Sequence, residues 1–349
     1  MWILLLLRRK KVVVKMKKNV TMTDIAQQLN ISTVTVSKAL ANKDGVSKAL
    51  RQKILELASQ MGYRHTSSAK ALQEGHNYSV GILVHKKYIG SNDSFYLQAY
   101  QKIIDALSRS NYFAIQELIS DQYEQELVVP KLIKEGKIDG LIILGQIKEN
   151  YLEFIQSFNV PVMLFDFYNK HYDYDAIISD NFYSAYMITN HLIESGHKDI
   201  GFVGNIHATS SILDRYLGYC KSLIENKLPL NDHWLLNDRT DDGKYIEIEI
   251  PSNMPTAFVV NCDEVAYLFM NKLNKEGYSI PKDTSIVSFD NYIYATLTDP
   301  QLTTVEVNLN GMAQMVTEEL IKKIKDHTHV VGRKMVSNNI IYRDSVMKI

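Results

Sequence analysis

From Tyr78 onward the chain alternates short apolar runs with segments of helical periodicity, and this constrains its fold more than any other feature. Strands are predicted at Val80–Val84, Phe113–Glu117, Gly140–Leu144, Val162–Phe165, Ala176–Ser179, Ile200–Val203, Thr256–Val260 and Ser285–Phe289. Helices are predicted at Phe95–Ser108, Tyr123–Lys134, Tyr151–Phe158, Phe182–Ser195, Leu213–Asn226, Val265–Glu276 and Gly311–Ile324. Strands alternating with helices imply parallel sheets covered by helices. There are too many strands for one compact sheet, so the reading is α/β with two doubly wound subdomains. Ligands of open sheets sit beyond the carboxyl ends of the strands, so two facing subdomains make a cleft.

The stretch from Thr21 to Leu72 has a different character. Two short helical patterns flank the tight segment Leu29-Asn30-Ile31-Ser32, as in a helix-turn-helix, whose second helix lies in the DNA major groove. Thr21 and Asp24 stand at capping-box spacing, and Ser32 suits the N-cap of the second helix. Ile25, Ala26 and Leu29 give the first helix an apolar face; Val36, Ala39 and Leu40 do so for the second. A third helix starts at Ser47, packs through Leu50, Ile54, Leu57, Ala58 and Met61, and ends at Gly62. A plain three-helix bundle is the alternative. Against it stand Thr33, Val34, Thr35, Ser37 and Lys38, whose hydroxyls and lysine suit phosphates and base edges.

Charge agrees with two working ends. Net charge is zero, but residues 1–76 carry 14 Lys/Arg against 4 Asp/Glu, and the remainder 25 against 35. A basic head on an acidic body confines DNA contacts to one end. The 349 residues suit a head of about 60 residues and a body of about 270. Cys220 and Cys262 fit no metal motif and make no disulfide framework, so a reducing cytoplasm is expected. No apolar run approaches the ~20 residues of a membrane span. Residues 1–15 (MWILLLLRRKKVVVK) have charges after the apolar run, unlike a signal peptide. They are expected to be a non-native leader, with Met16 as the natural start. The ten histidines show no metal-ligand spacing. No GxGxxG follows a strand, and no Walker-type loop or GxSxG is present, so no catalytic set, metal or cofactor is expected.

At Thr21, Met22, Asp24, Ile25, Ala26, Ile31, Ser32, Thr35, Val36, Ser37, Lys38 and Leu40 the chain resembles the LacI/GalR family of bacterial transcription regulators. Gly45–Ser47, Gly62–Arg64, Gly196-His197 with Ile200-Gly201-Phe202, Leu302–Val305 and Ile341–Ser345 extend the resemblance to the C-terminus. It implies that Thr33 and Val34 set operator preference and that Thr21, Thr35 and Ser37 hold phosphates. Lys38 stands in place of a guanine-reading arginine; lysine is a point charge and cannot form the same fork. Residues 65–77 match a hinge that folds into a helix on DNA. Lys70 falls at family spacing, and Leu72 keeps the position of the minor-groove wedge. The proline and asparagine that usually open the hinge are absent.

For the body, the resemblance implies the two lobes of a type I periplasmic binding protein joined by three crossovers. The division expected is a head at 16–64 and a body at 78–349. Lobe one takes about 78–178 plus 307–330, and lobe two about 179–306 plus 331–349. Asp290, Arg215 and Asp263 match family effector positions, and Asp166 follows a strand. A carboxylate and a guanidinium facing one cleft suit sugar hydroxyls or an anionic group. Phe95, Tyr96 or Phe167 could stack on a sugar ring. Ordinary roles compete: Asp263 as a helix N-cap, and Arg215 paired with Asp214 or Glu225 on the surface. The expectation is a cytoplasmic homodimeric repressor of operator DNA, controlled by a small molecule, with no tetramerising tail. A solute-binding protein and a doubly wound enzyme are the rivals. The head argues against the first, and the missing catalytic set against the second.

Overall fold

In a computed structural model of the chain, residues 20–63, 76–89, 95–169 and 174–349 are described, and the chain divides into two compact units between Gly75 and His76. The predicted leader and the hinge positions Lys70 and Leu72 lie outside the described residues.

The first unit holds α1 (Met22–Leu29), α2 (Thr33–Leu40) and α3 (Lys48–Met61). Thr21 and Asp24 form the capping box: Asp24 N donates to Thr21 Oγ1 (3.3 Å), and Thr21 N donates back to Asp24 Oδ2 (2.7 Å). Asn30, at φ 51°, closes α1 in the left-handed region, and Gly62, at φ 69°, closes α3. Ile25, Ala26, Val36, Ala39, Ile54 and Ala58 form the buried core. Fully burying an isoleucine there contributes roughly 1.5–3 kcal/mol, so Ile25 and Ile54 carry much of a small domain's stability.

In the second unit the elements run β1 (Ser79–His85), α4 (Phe95–Arg109), β2 (Phe113–Ile119), α5 (Asp121–Gln125), α6 (Lys131–Lys134), β3 (Gly140–Leu144), α7 (Glu149–Gln156), β4 (Val162–Phe165), β5 (Ala176–Ser179) and α8 (Asn181–Glu194). They continue with β6 (Ile200–Val203), α9 (Ser210–Glu225), β7 (Leu235–Leu236), β8 (Ala257–Val260), α10 (Asp263–Lys275), β9 (Ser285–Asp290), α11 (Ile293–Leu297), β10 (Thr303–Glu306), α12 (Leu309–Lys325), β11 (Arg333–Val336) and β12 (Asn339–Ile341). The first sheet has order β11-β5-β4-β3-β1-β2 and the second β12-β10-β9-β8-β6-β7. Among the described residues, every pairing between these strands is parallel except β10 with β12. In each sheet the order reverses direction, beside β1 and beside β6, which opens a crevice at the carboxyl ends.

Successive strand residues point to opposite faces, so both faces of each sheet are buried. Ile82 and Ile142 pack under α4 and α12, while Leu83 and Ile143 face Tyr151 and Ile155 of α7. The second sheet does the same, with Phe202 and Val259 facing α8 and α9, and Phe258 and Val260 facing α10.

Three differences from the expected elements have local causes. The single helix at Tyr123–Lys134 is two pieces, because Pro130 cannot continue a helix and instead precedes α6. The segment after 330 does not belong wholly to lobe two: β11 pairs with β5 in the first sheet, and only β12 joins the second. The short strands β7, β10, β11 and β12 were not among the predicted strands. The chain crosses between lobes near Asp180, near Asn308 and near Asn338. These crossings are tied together: Asn338 Nδ2 donates to Ser179 Oγ (2.7 Å) and Ser184 Oγ (2.9 Å), and Asn338 Oδ1 accepts from Asn308 N (3.2 Å).

Candidate functional site

The head presents the second helix of its helix-turn-helix outward. Val36 and Ala39 are buried, whereas Thr33, Val34, Ser37 and Lys38 are exposed, Val34 by 62%. An aliphatic side chain so exposed on a short helix is free to meet a thymine methyl. Ser32 caps α2 by accepting from Thr35 N (3.1 Å), and its hydroxyl shares a hydrogen bond with that of Thr35 (2.8 Å). The Thr21 hydroxyl is also engaged, donating to Asp24 Oδ2 (2.7 Å). These three hydroxyls therefore hold the helix ends: the Thr21 proton is spent on Asp24, and the Ser32–Thr35 pair uses one of its two protons internally and keeps the other for an outside acceptor.

In the body, the crevice between the lobes forms a cavity of about 410 Å³. The first lobe lines it with Lys87, Tyr88, Phe95, Tyr96 and Asp166; the second with Thr209, Ser211, Arg215, Arg239, Tyr245, Asn261, Glu264, Asp290 and Tyr292. Lys87, Asp166, Asn261 and Asp290 stand at or just past the carboxyl ends of β1, β4, β8 and β9. The backbone is left-handed at both acids, φ 67° at Asp166 and φ 111° at Asp290, although neither is glycine. Such conformations cost about 1–3 kcal/mol each and persist where the surroundings over-determine them.

Arg215 is buried and holds the second lobe's side together. Its Nε donates to Asn181 Oδ1 (2.8 Å), its Nη1 to Asn261 O, and its Nη2 lies 3.5 Å from Asp290 Oδ1. Its guanidinium rests 4.5 Å from the Phe289 ring centroid. Glu225 pairs with Lys221 instead, and Asp214 accepts from Tyr168 OH across the lobes (2.8 Å). Burial pushes the Asp290 carboxyl well above the usual range; Arg215 opposes this, while Asp263 and Asp166 add to it. Burial likewise raises Asp166 to about 6, against the pull of Arg215 and of the hydrogen bond from Tyr96 (3.0 Å).

Asp290, Arg215, Asp166, Phe95 and Tyr96 are thus brought to one cavity. Asp263 is not. It is fully buried as the first residue of α10: Oδ1 accepts from Ser288 Oγ and from Thr304 Oγ1 (2.7 Å), and Oδ2 from Tyr292 N (2.7 Å). With both oxygens spent on protein donors, it orients the Tyr292 loop and the ends of β9 and β10. Its neighbours Asn261, Cys262 and Glu264 reach the cavity. Phe167 packs in the first lobe's core instead.

Arg239 and Tyr245 were missed. Arg239 donates through Nε to Asp238 Oδ2 (2.7 Å) and through Nη2 to Asn261 Oδ1 (3.1 Å), and stacks over Tyr245 at 4.7 Å. Tyr245 OH donates to Glu264 Oε2 (3.1 Å). Both residues follow the two-residue β7, in a stretch without periodicity. Only an arginine directly beside an aspartate, Asp238-Arg239, marked the place.

Among the described residues, His85, Asp121 and Glu124 bring potential metal ligands within 4.8 Å of one another. The donor set does not suit an ion. His85 Nδ1 accepts from Lys87 N (3.1 Å), which leaves the proton on Nε2, the nitrogen facing Asp121 (3.5 Å). Glu124 is already committed to Lys148, through its backbone N–H (3.0 Å) and its ammonium (3.7 Å).

A helix-turn-helix with an exposed second helix, followed in the chain by a two-lobed domain whose cleft gathers polar groups, defines a DNA-binding regulator with an effector-binding domain. Residues 21–65 match the model for bacterial regulatory proteins of the lacI family, and residues 189–346 that for a periplasmic binding protein-like domain. The NTD biosynthesis operon regulator NtdR of Bacillus subtilis is 28% identical over 335 residues, covering 93% of this chain and 99% of that protein. The HTH-type transcriptional repressor PurR of Vibrio parahaemolyticus is 24% identical over 335 residues, covering 94% and 99%. The lac repressor dimer bound to operator and an anti-inducer shares the fold, with a TM-score of 0.75 at 18% identity over 95% of this chain and 100% of that one. The chain belongs to the LacI family of transcriptional regulators, a family of DNA-binding regulators rather than enzymes.

Proposed function

We propose that the chain is a cytoplasmic repressor that binds a pseudopalindromic operator as a homodimer and is controlled by a sugar or sugar derivative held between the lobes. The observation that carries this reading is the interlobe cavity, with Asp166 on one lobe and the Arg215–Asp290 pair on the other. A ligand touching both sides changes the lobe geometry, and that is a coupling free energy between cavity and operator. Named relatives support the carbohydrate class: the ribose operon repressor of Haemophilus influenzae is 23% identical over 333 residues. A CelR–cellobiose complex (TM-score 0.67) and a regulator complexed with D-xylulofuranose (TM-score 0.64) have the same fold.

In this reading Thr33, Val34 and Lys38 face base edges, and Thr21, Ser32, Thr35 and Ser37 face phosphates. Lys70 and Leu72 belong to the hinge. Self-association is favoured by an exposed apolar row on two adjoining helices, Phe182 and Met187 of α8 with Leu213 and Leu217 of α9. The test is selection of genomic fragments by the full chain at ~150 mM salt, where nonspecific phosphate binding is weakened. A reciprocal titration of the recovered site and the effector follows. The factor by which effector weakens operator binding must equal the factor by which operator weakens effector binding. Unequal factors, or a site without dyad symmetry, overturn the scheme.

A further inference from the structure

We propose that the effector is an amino sugar whose protonated amine sits against the carboxylate of Asp166, beside the rings of Tyr88, Phe95 and Tyr96. The inference rests on the reading of the interlobe cavity as a carbohydrate site.

Asp166 is only 5% exposed and lines the cavity. Its Oδ2 accepts from Tyr96 OH at 3.0 Å, but its Oδ1 has no partner among the described residues. A buried carboxylate oxygen without a donor is costly, and here the donor has to come from the cavity side. The resident cations are committed elsewhere. Arg215 is engaged by Asn181, Asn261 and Asp290, and Arg239 by Asp238 and Asn261. The third cation of the lining, Lys87, is an exposed residue whose ammonium lies 5.1 Å from the Tyr88 centroid. The lining charges balance, Lys87, Arg215 and Arg239 against Asp166, Glu264 and Asp290, but among the described residues no cation forms a hydrogen bond or ion pair with Asp166.

The aromatic neighbours favour a cation over a plain hydroxyl. The Tyr88 and Tyr96 centroids are 4.5 Å apart, and the Phe95 ring meets Tyr96 edge-on at 5.3 Å. Ring faces attract ammonium groups, and a desolvated carboxylate beside them supplies the counter-charge. A sugar hydroxyl would satisfy Oδ1 but leave the carboxylate without a direct ion-pair partner. An acidic sugar would add a like charge beside Asp166.

The test is titration calorimetry of the full chain at pH 7.5 against matched sets: glucose, glucosamine and N-acetylglucosamine, the corresponding galactose and mannose sets, and glucuronate and galacturonate. The expected result is one aminodeoxy sugar binding about tenfold or more tighter than its hydroxyl parent, the margin of a charge-assisted over a neutral hydrogen bond. N-acetylation, which removes the charge, should abolish the preference in the unaltered protein, and Asp166→Asn should cancel it. Parent or acidic sugars binding more tightly overturn the amine assignment and leave the carbohydrate reading intact. An amine preference that survives Asp166→Asn overturns the role of Asp166. Binding of no sugar overturns both readings.

Discussion

Asp166 offers a quantitative test of how the cavity is built. Its carboxyl is raised from 3.8 to about 6, mainly by burial, so the ligand-free protein carries a strained charge at neutral pH. A shift of about two units corresponds to roughly 3 kcal/mol. The sign follows from proton linkage. The folded state binds this proton more tightly than the unfolded chain, so stability is greatest below 3.8 and falls as pH rises through about 6. Asp166→Asn removes the charge and keeps an oxygen for the Tyr96 hydroxyl. The ligand-free variant is therefore expected to be more stable than the parent by about 1–3 kcal/mol at pH 8, an advantage that shrinks below pH 6 and nearly vanishes near pH 4. Urea titrations of both proteins across that range measure the difference, and changes common to both cancel. A variant no more stable at pH 8, or an advantage that does not vary with pH, refutes the assignment of a buried, charged and poorly compensated carboxylate. Gained stability with lost ligand response is the expected signature of a site held ready for its ligand.

Three further outcomes are expected. Arg215→Lys keeps the charge but cannot reach Asn181, Asn261 and Asp290 together, so effector-driven release of DNA should be lost while effector-free operator affinity is kept; a normal response in a filter-binding titration contradicts this. Val34→Ala should change half-site preference in a binding-site selection without altering nonspecific affinity at low salt, and an unchanged preference removes Val34 from the reading face. Ile25→Ala should cost the head about 2–5 kcal/mol, seen as lost amide protection in residues 20–63 with the body's protection unchanged; equal loss in both would mean that the units do not unfold separately.

Legibility in the sequence followed from locality. The runs 140–144, 162–165, 176–179 and 200–203 coincide with β3, β4, β5 and β6, because a strand buried on both faces is apolar throughout and bounded by turn residues. The head was readable for a similar reason: its caps, Thr21, Ser32 and Ser47, act on backbone only three residues away. The strands β7, β10, β11 and β12 were not readable. They are short, and β11 carries Arg333, Lys334 and an exposed Met335 at a sheet edge, where one buried residue, Val336, suffices. The apolar spacing of 123–134 continues across Pro130, which hides the break that the proline imposes on the backbone.

The candidate site shows the same division. That acids would follow strands was legible, since Asp166 and Asp290 each close an apolar run. Which acid meets a ligand was not. Asp263 also follows a strand, yet Ser288, Thr304 and the Tyr292 amide, 25 to 41 residues away, consume its oxygens, whereas Asp166 has one oxygen unclaimed. By itself the sequence determined the class of the protein, because class rests on local periodicity, capping and motif spacing. Only the tertiary structure decided what lines the cavity and which groups there remain uncompensated. Charge pairing and desolvation depend on what lies across space, and Arg239, Tyr245 and Lys87 come to line one cavity with Asp166 and Asp290 through a fold whose chain crosses between the lobes three times.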